Sequence, residues 1–117
     1  MIEIKDVGFS YENARKDDSI KNITATIPRG QVVLLCGESG SGKTTFGRLV
    51  NGLIPCYYEG TSSGSVTVQG KNIKETELHE LAGVVGSVFQ NPKSQFYTLL
   101  ADTEIVFGCE NIGMPKE

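Results

Sequence analysis

Apolar positions along the chain fall in short runs, some alternating and some continuous, separated by glycine-rich and polar turns. Ile2 and Ile4, with Val7 beyond them, predict a first strand, and Ile23, Ala25 and Ile27 alternate in a second. Pro28-Arg29-Gly30 predicts a turn into the continuous apolar run Val32-Val33-Leu34-Leu35-Cys36, which reads as a buried third strand. Phe46, Leu49, Val50 and Leu53 then recur at i, i+3, i+4 and i+7, one face of a helix that ends before Pro55 and packs on the sheet. Gly60 to Gly64 reads as a loop, Ser65 to Gln69 as a short strand, Gly70-Lys71-Asn72 as a turn and Leu78 to Ala82 as a short helix. Val84 to Phe89 predicts a further buried strand, in which Gly86 weakens the pairing but admits a close neighbour.

Composition sets the scale of this arrangement. With 117 residues and 38% hydrophobic content the chain can bury one modest core, so a single domain is expected. A formal net charge of −3, with scattered basic residues, speaks against a nucleic-acid partner, because no basic stripe is present to neutralise a polyphosphate backbone. No targeting segment is evident, and no apolar stretch approaches the roughly 20 residues that span a bilayer, so a soluble chain is expected. The three cysteines, Cys36, Cys56 and Cys109, are odd in number and include no C-x-x-C pair, which fits a reducing cytosol. Cys36, at the end of an apolar run, reads as a small core residue.

The chemistry is concentrated after that run. Gly37-Glu38-Ser39-Gly40-Ser41-Gly42-Lys43-Thr44 is a full G-x-x-x-x-G-K-[ST] phosphate-binding loop set between a strand and a helix. Phosphate oxygens need several N–H donors converging on a small volume, and a backbone without Cβ atoms at Gly37, Gly40 and Gly42 can curl tightly enough to supply them. A helix starting near Lys43 adds its first-turn amides and the positive end of its dipole. Lys43 is expected to reach the β- and γ-phosphates, and the Thr44 hydroxyl to coordinate Mg²⁺. The ligand predicted is a nucleoside triphosphate. Glu38, at a variable loop position, and His79, in the short helix, read as solvent-facing.

With Tyr11 standing 26 residues before Gly37, and a strand ending in Phe89-Gln90-Asn91-Pro92, the chain resembles the nucleotide-binding subunit of an ATP-binding cassette (ABC) transporter. The stretch Phe89 to Gln95, followed by Glu104-Ile105-Val106-Phe107-Gly108 and Glu110-Asn111, is most similar to the ATPases of energy-coupling factor transporters. The resemblance implies ATP and Mg²⁺ as cofactors, bound by Gly37, Ser39, Gly40, Ser41, Gly42, Lys43, Thr44 and Thr45. It implies adenine stacking on Tyr11, the polar loop from Asn13 to Ser19 leaving the ring accessible. Gln90 would be the Q-loop residue, its amide presenting oxygen to Mg²⁺ and reaching the attacking water, so that Lys43 and Gln90 serve catalysis and Thr44 and Gln90 the metal. Phe96 and Tyr97 fit either a docking surface or ordinary packing, and Glu104 and Glu110 a solvated helix face. The implied partners are a transmembrane subunit, met through the Q-loop region, and a second ATPase subunit. The implied location is cytoplasmic, peripheral on the inner face of the cell membrane.

Departures from the family pattern bear on activity. No Leu-Ser-Gly-Gly-Gln signature occurs, no apolar strand ending in Asp-Glu follows Gln90, and no switch histidine is present, since His79 comes too early. The chain reaches Met114-Pro115-Lys116-Glu117 about where the family enters its helical subdomain, so it is expected to be the N-terminal part of an ABC ATPase domain. Without these groups little rate advantage is expected. Two alternatives stand beside this reading: a noncatalytic docking module and a P-loop nucleoside kinase. The expected fold class is α/β, a P-loop core sheet joined to an antiparallel β portion built from the first strands and the Ser65 to Gln69 region. Missing later strands would leave an open edge and exposed apolar surface, so that the chain is marginal or self-associating.

Overall fold

The computed structural model describes residues 1–13 and 19–115. They divide into two compact units, Met1–Gly86 and a second beginning at Ser87. The first unit is built on strands β1 (Ile2–Tyr11), β2 (Ser19–Ile27), β3 (Gly60–Val68) and β4 (Lys71–Asn72), joined as one antiparallel sheet in the order β2-β1-β3-β4. Three helical segments accompany it: α1 (Lys43–Val50), the single turn α2 (Leu53–Cys56) and α3 (Leu78–Ala82). The α/β class and the antiparallel β portion are as the sequence predicts.

The register of β1 accounts for its unusual apolar spacing. Ile2 and Ile4 face the core, yet the next buried residues are Val7 and Phe9, a change of parity that an unbroken strand cannot produce. A bulge at Lys5–Asp6 supplies the extra residue, and pairing with both neighbouring strands shifts there. Asp6 has φ +48° and its N–H donates to the Thr24 hydroxyl at 3.0 Å. Across the ladder, Gly64 has φ +70°, and a Cβ there would lie 2.3 Å from the carbonyl oxygens of both Lys5 and Asp6. Only glycine accommodates that approach. Gly60 to Gly64, expected as a loop, is therefore the first half of β3: the glycines answer the bulge rather than ending the strand.

The reverse turn between β3 and β4 has Gln69 at φ +49° and Gly70 at φ +82°, with Val68 paired to Lys71. Two left-handed central residues match the twist of an antiparallel hairpin, so Lys71 and Asn72 lie in the returning strand and not in the turn. One face of the sheet is covered by the helical segments. Ile4, Val7, Phe9, Val66 and Val68 from the strands meet Leu49, Ile54, Ile73 and Leu81, all buried, with Phe46, Val50, Val84 and Val85 packed around them. Helix α1 ends at Val50, because Gly52 follows at φ +80° and α2 restarts beyond it; Leu53 therefore does not extend the α1 face, and α2 contributes Ile54 to the core instead. Helix α3 has the predicted bounds.

Two predicted strands do not form. Val32 to Cys36 joins no sheet, and Val32 and Leu34 are exposed, at 100% and 85% of their surface. Val84 to Phe89 is likewise outside any sheet, although Val84 and Val85 pack on the core. Continuous apolar runs of this kind suit strands with neighbours on both edges and cover on both faces. Among the described residues every strand belongs to the antiparallel sheet, and none pairs with these segments. Cys36 is consequently exposed, not a core residue.

The second unit contains a short 3₁₀ turn, Pro92–Gln95, and helix α4 (Ala101–Asn111). Gln95 folds back on the chain before it: its Oε1 accepts from Phe89 N–H at 3.0 Å and its Nε2 donates to Ser87 O at 3.3 Å. The rings of Tyr97 and Phe107 stack with centroids 5.2 Å apart.

Candidate nucleotide-binding site

The loop Gly37–Gly42 leads into α1 through two left-handed glycines, Gly40 at φ +81° and Gly42 at φ +90°. A Cβ on Gly42 would lie 2.5 Å from Ile20 Cγ2, so this glycine is needed both for its backbone angle and for its fit against β2. Ser41 N–H donates to Glu38 O at 3.2 Å, closing the loop on itself. No side chain caps the start of α1, and its first turn holds no acidic residue. The positive end of the helix is thus left without the neutralising oxygen that most helix starts recruit, a donor set suited to an anion.

Lys43, the first residue of α1, turns its ammonium back over the loop. Its Nζ donates to Gly37 O at 2.8 Å, to Glu38 O at 2.5 Å and to Ser41 Oγ at 3.2 Å. The same turn brings Thr44 to the surface and Thr45 toward β1. Ser39 and Ser41 are exposed, as is Glu38. One compact arrangement therefore contains Gly37, Ser39, Gly40, Ser41, Gly42, Lys43, Thr44 and Thr45.

Tyr11 stands at the end of β1, on the core side of the sheet because the Lys5–Asp6 bulge has reset the parity of the strand. Its hydroxyl is hydrogen-bonded to Thr45 Oγ1 at 3.2 Å and accepts from Arg48 Nη1 at 2.9 Å. Its ring meets Phe9 edge to face at 4.8 Å and Tyr58 at 6.0 Å, and it is half-buried. The polar loop expected to leave the ring accessible includes residues 14–18, which lie outside the described residues. Arg48 also lies over the Tyr58 ring, 4.0 Å from its centroid. The sequence did not single out Arg48 and Tyr58: neither belongs to the glycine-rich motif, and they meet Tyr11 only through tertiary packing.

Gln90 belongs to the second unit, exposed in the bend before Asn91. The neighbouring glutamine that organises this segment is Gln95, through its two backbone contacts. Phe96 and Tyr97 are exposed. Glu104 is not simply solvated: one carboxylate oxygen, Oε2, accepts from Tyr97 N–H at 3.1 Å, Thr98 N–H at 2.8 Å and Thr98 Oγ1 at 2.9 Å. These donors, the Thr98 amide foremost, hold its carboxyl below the usual glutamate range against a weaker opposing effect of desolvation. His79 is exposed on α3. Among the described residues no cluster of His, Cys, Asp and Glu side chains suits a metal ion, so a cation here would depend on Thr44 and on oxygens brought by a ligand.

The sequence profile of the ABC transporter family matches residues 20–111, and the chain belongs to that family. Among its relatives, a Treponema denticola protein named as an ABC transporter ATP-binding protein is 50% identical over all 117 residues, which make up 24% of that protein. A second, from Pyrococcus horikoshii and similarly named, is 41% identical over the whole chain, which covers 41% of its length. The chain thus spans about a quarter of the first relative and under half of the second. No solved structure gives a significant match. Family membership sets aside the nucleoside kinase alternative. No helix among the described residues is long and apolar enough to cross a membrane.

Proposed function

We propose that the chain binds ATP with Mg²⁺ at Gly37–Thr45 and is the N-terminal part of the nucleotide-binding domain of an ABC transport ATPase, in an importer of the energy-coupling factor type. The observation that supports this most directly is the loop geometry: two left-handed glycines open into an uncapped helix start, with the Lys43 ammonium held against the same loop. Such a site offers amide donors and one cation to the phosphates, while Thr44 offers a hydroxyl to the metal. Bound Mg²⁺ would neutralise phosphate charge. Tyr11 would supply the face for the adenine.

Val32–Cys36 and Val84–Phe89 are read as strands of a P-loop sheet whose remaining strands lie outside these 117 residues. Gln90 would then serve the metal and the attacking water, and the segment from Gln90 to Tyr97 would meet a transmembrane subunit. A second ATPase subunit would complete the assembly, on the cytoplasmic face of the membrane. Since these 117 residues hold no signature motif and no Asp-Glu strand end, the chain alone binds without turning over.

Isothermal calorimetry with ATP and Mg²⁺ tests the binding: saturable heat is expected, weakened roughly tenfold or more in Lys43→Ala. Equal heats for the two proteins would refute the site. A Lys43-dependent steady-state ATPase rate in the 117-residue chain would refute the claim of binding without turnover.

A further inference from the structure

The phosphate loop and Tyr11 leave Arg48 and Tyr58 without a task, although the two are bound into one contact network with them. Arg48 lies one turn along α1 from Thr45. Its guanidinium donates to the Tyr11 hydroxyl at 2.9 Å and rests on the Tyr58 ring at 4.0 Å. The Tyr11 hydroxyl in turn meets Thr45 Oγ1 at 3.2 Å, and the Tyr11 and Tyr58 rings stand edge to face at 6.0 Å. A planar guanidinium fixed on an aromatic face has little freedom, so the hydroxyl that accepts from it is fixed too. Tyr11 can therefore turn neither away from the start of α1 nor out toward solvent without breaking a charge-assisted hydrogen bond.

We propose that Arg48 and Tyr58 are positioning residues for nucleotide base recognition: they clamp the Tyr11 ring at a fixed distance from Thr45, so that base platform and phosphate loop act as one preformed unit. This rests on the reading of Gly37–Thr45 as the phosphate cradle and Tyr11 as the adenine platform. The consequence is specific to the base. Loosening the clamp costs the free energy of ordering Tyr11 when a base binds, and costs nothing for a ligand that has phosphates alone.

The test compares Mg·ATP with Mg·tripolyphosphate, which lacks base and sugar, by calorimetry on the full 117-residue chain. Wild type is compared with Arg48→Met, Tyr58→Leu and Tyr11→Phe, the last keeping the ring while deleting its anchoring oxygen. Each variant is expected to bind ATP roughly tenfold more weakly while holding tripolyphosphate within about twofold of wild type. Arg48→Lys, which retains a donor but not the planar fork, should recover part of the loss. Unchanged ATP affinity in the variants, or equal losses for both ligands, would overturn the clamp and leave the nucleotide reading standing. A wild type that binds neither ligand would overturn the nucleotide reading and the clamp together. Should Arg48→Met fail to fold, Tyr11→Phe decides the matter, because it removes one oxygen and no packing volume.

Discussion

One carboxylate oxygen organises the approach to α4. Glu104 Oε2 gathers two backbone N–H groups and a hydroxyl from Tyr97 and Thr98, and Thr98 Oγ1 also lies 2.9 Å from Leu100 O. Because these donors favour the ionised form, the folded carboxyl titrates below the ordinary glutamate range. The contribution of this contact is therefore fully present above the unfolded-state value and is lost as pH falls through the lower folded one. In an amide NMR titration the Tyr97 and Thr98 signals should move with a midpoint below the ordinary glutamate range, and Glu104→Gln should abolish that step. A midpoint at or above the ordinary range would contradict the assignment. Sequence alone places Glu104 on a helix near a polar turn, but not under Thr98, because the length of the intervening turn decides whether the carboxylate meets the backbone or water. The glycine-rich turn into α1 at Lys43 was legible for the opposite reason. Its residues act within one short segment, so spacing alone fixes their geometry, whereas Tyr11, Thr45, Arg48 and Tyr58 come together only through tertiary packing.

At the scale of elements, the bulge in β1 connects strand register to the site. The apolar spacing Ile2, Ile4, Val7, Phe9 and Tyr11 has one residue too many for a plain strand, and that residue turns Tyr11 to the core side, where Thr45 and Arg48 lie. The bulge depends on Gly64, since a methyl group there would collide with two carbonyl oxygens and take up a left-handed angle. Gly64→Ala should therefore destabilise the chain by about 2 kcal/mol or more in urea unfolding, beyond the usual effect of a strand substitution. A change below about 0.5 kcal/mol would mean that the bulge can relax without cost. Leu49→Ala, which empties a buried position facing the sheet, should cost about 2–5 kcal/mol in the same assay. Helical elements were readable because their signals are local: the i, i+3, i+4 spacing of Phe46, Leu49 and Val50, and the compact α3. The Gly60 to Gly64 stretch misleads because glycine marks loops and bulges alike, and only the opposing strand distinguishes them.

For the molecule as a whole, apolar runs that join no sheet set its behaviour in solution. Val32, Leu34 and Val88 are each more than four-fifths exposed, and the segments that contain them pair with no strand among the described residues. Such surface favours association. Sedimentation velocity should show mass rising with protein concentration, and Leu34→Glu should reduce it; a monomer at all concentrations would contradict this reading. These two runs also show where sequence reading stopped. Their composition marks them as apolar, but whether a run becomes a strand depends on neighbours that its own residues do not specify. The central claim is that Gly37–Thr45 cradles a nucleoside triphosphate, and amide chemical-shift mapping tests it most directly. Adding Mg·ATP should move the backbone signals of Gly37 to Thr45 together with that of Tyr11, and Lys43→Ala should suppress those shifts. Signals in Gly37–Thr45 that stay in place while ATP is in excess would contradict the account.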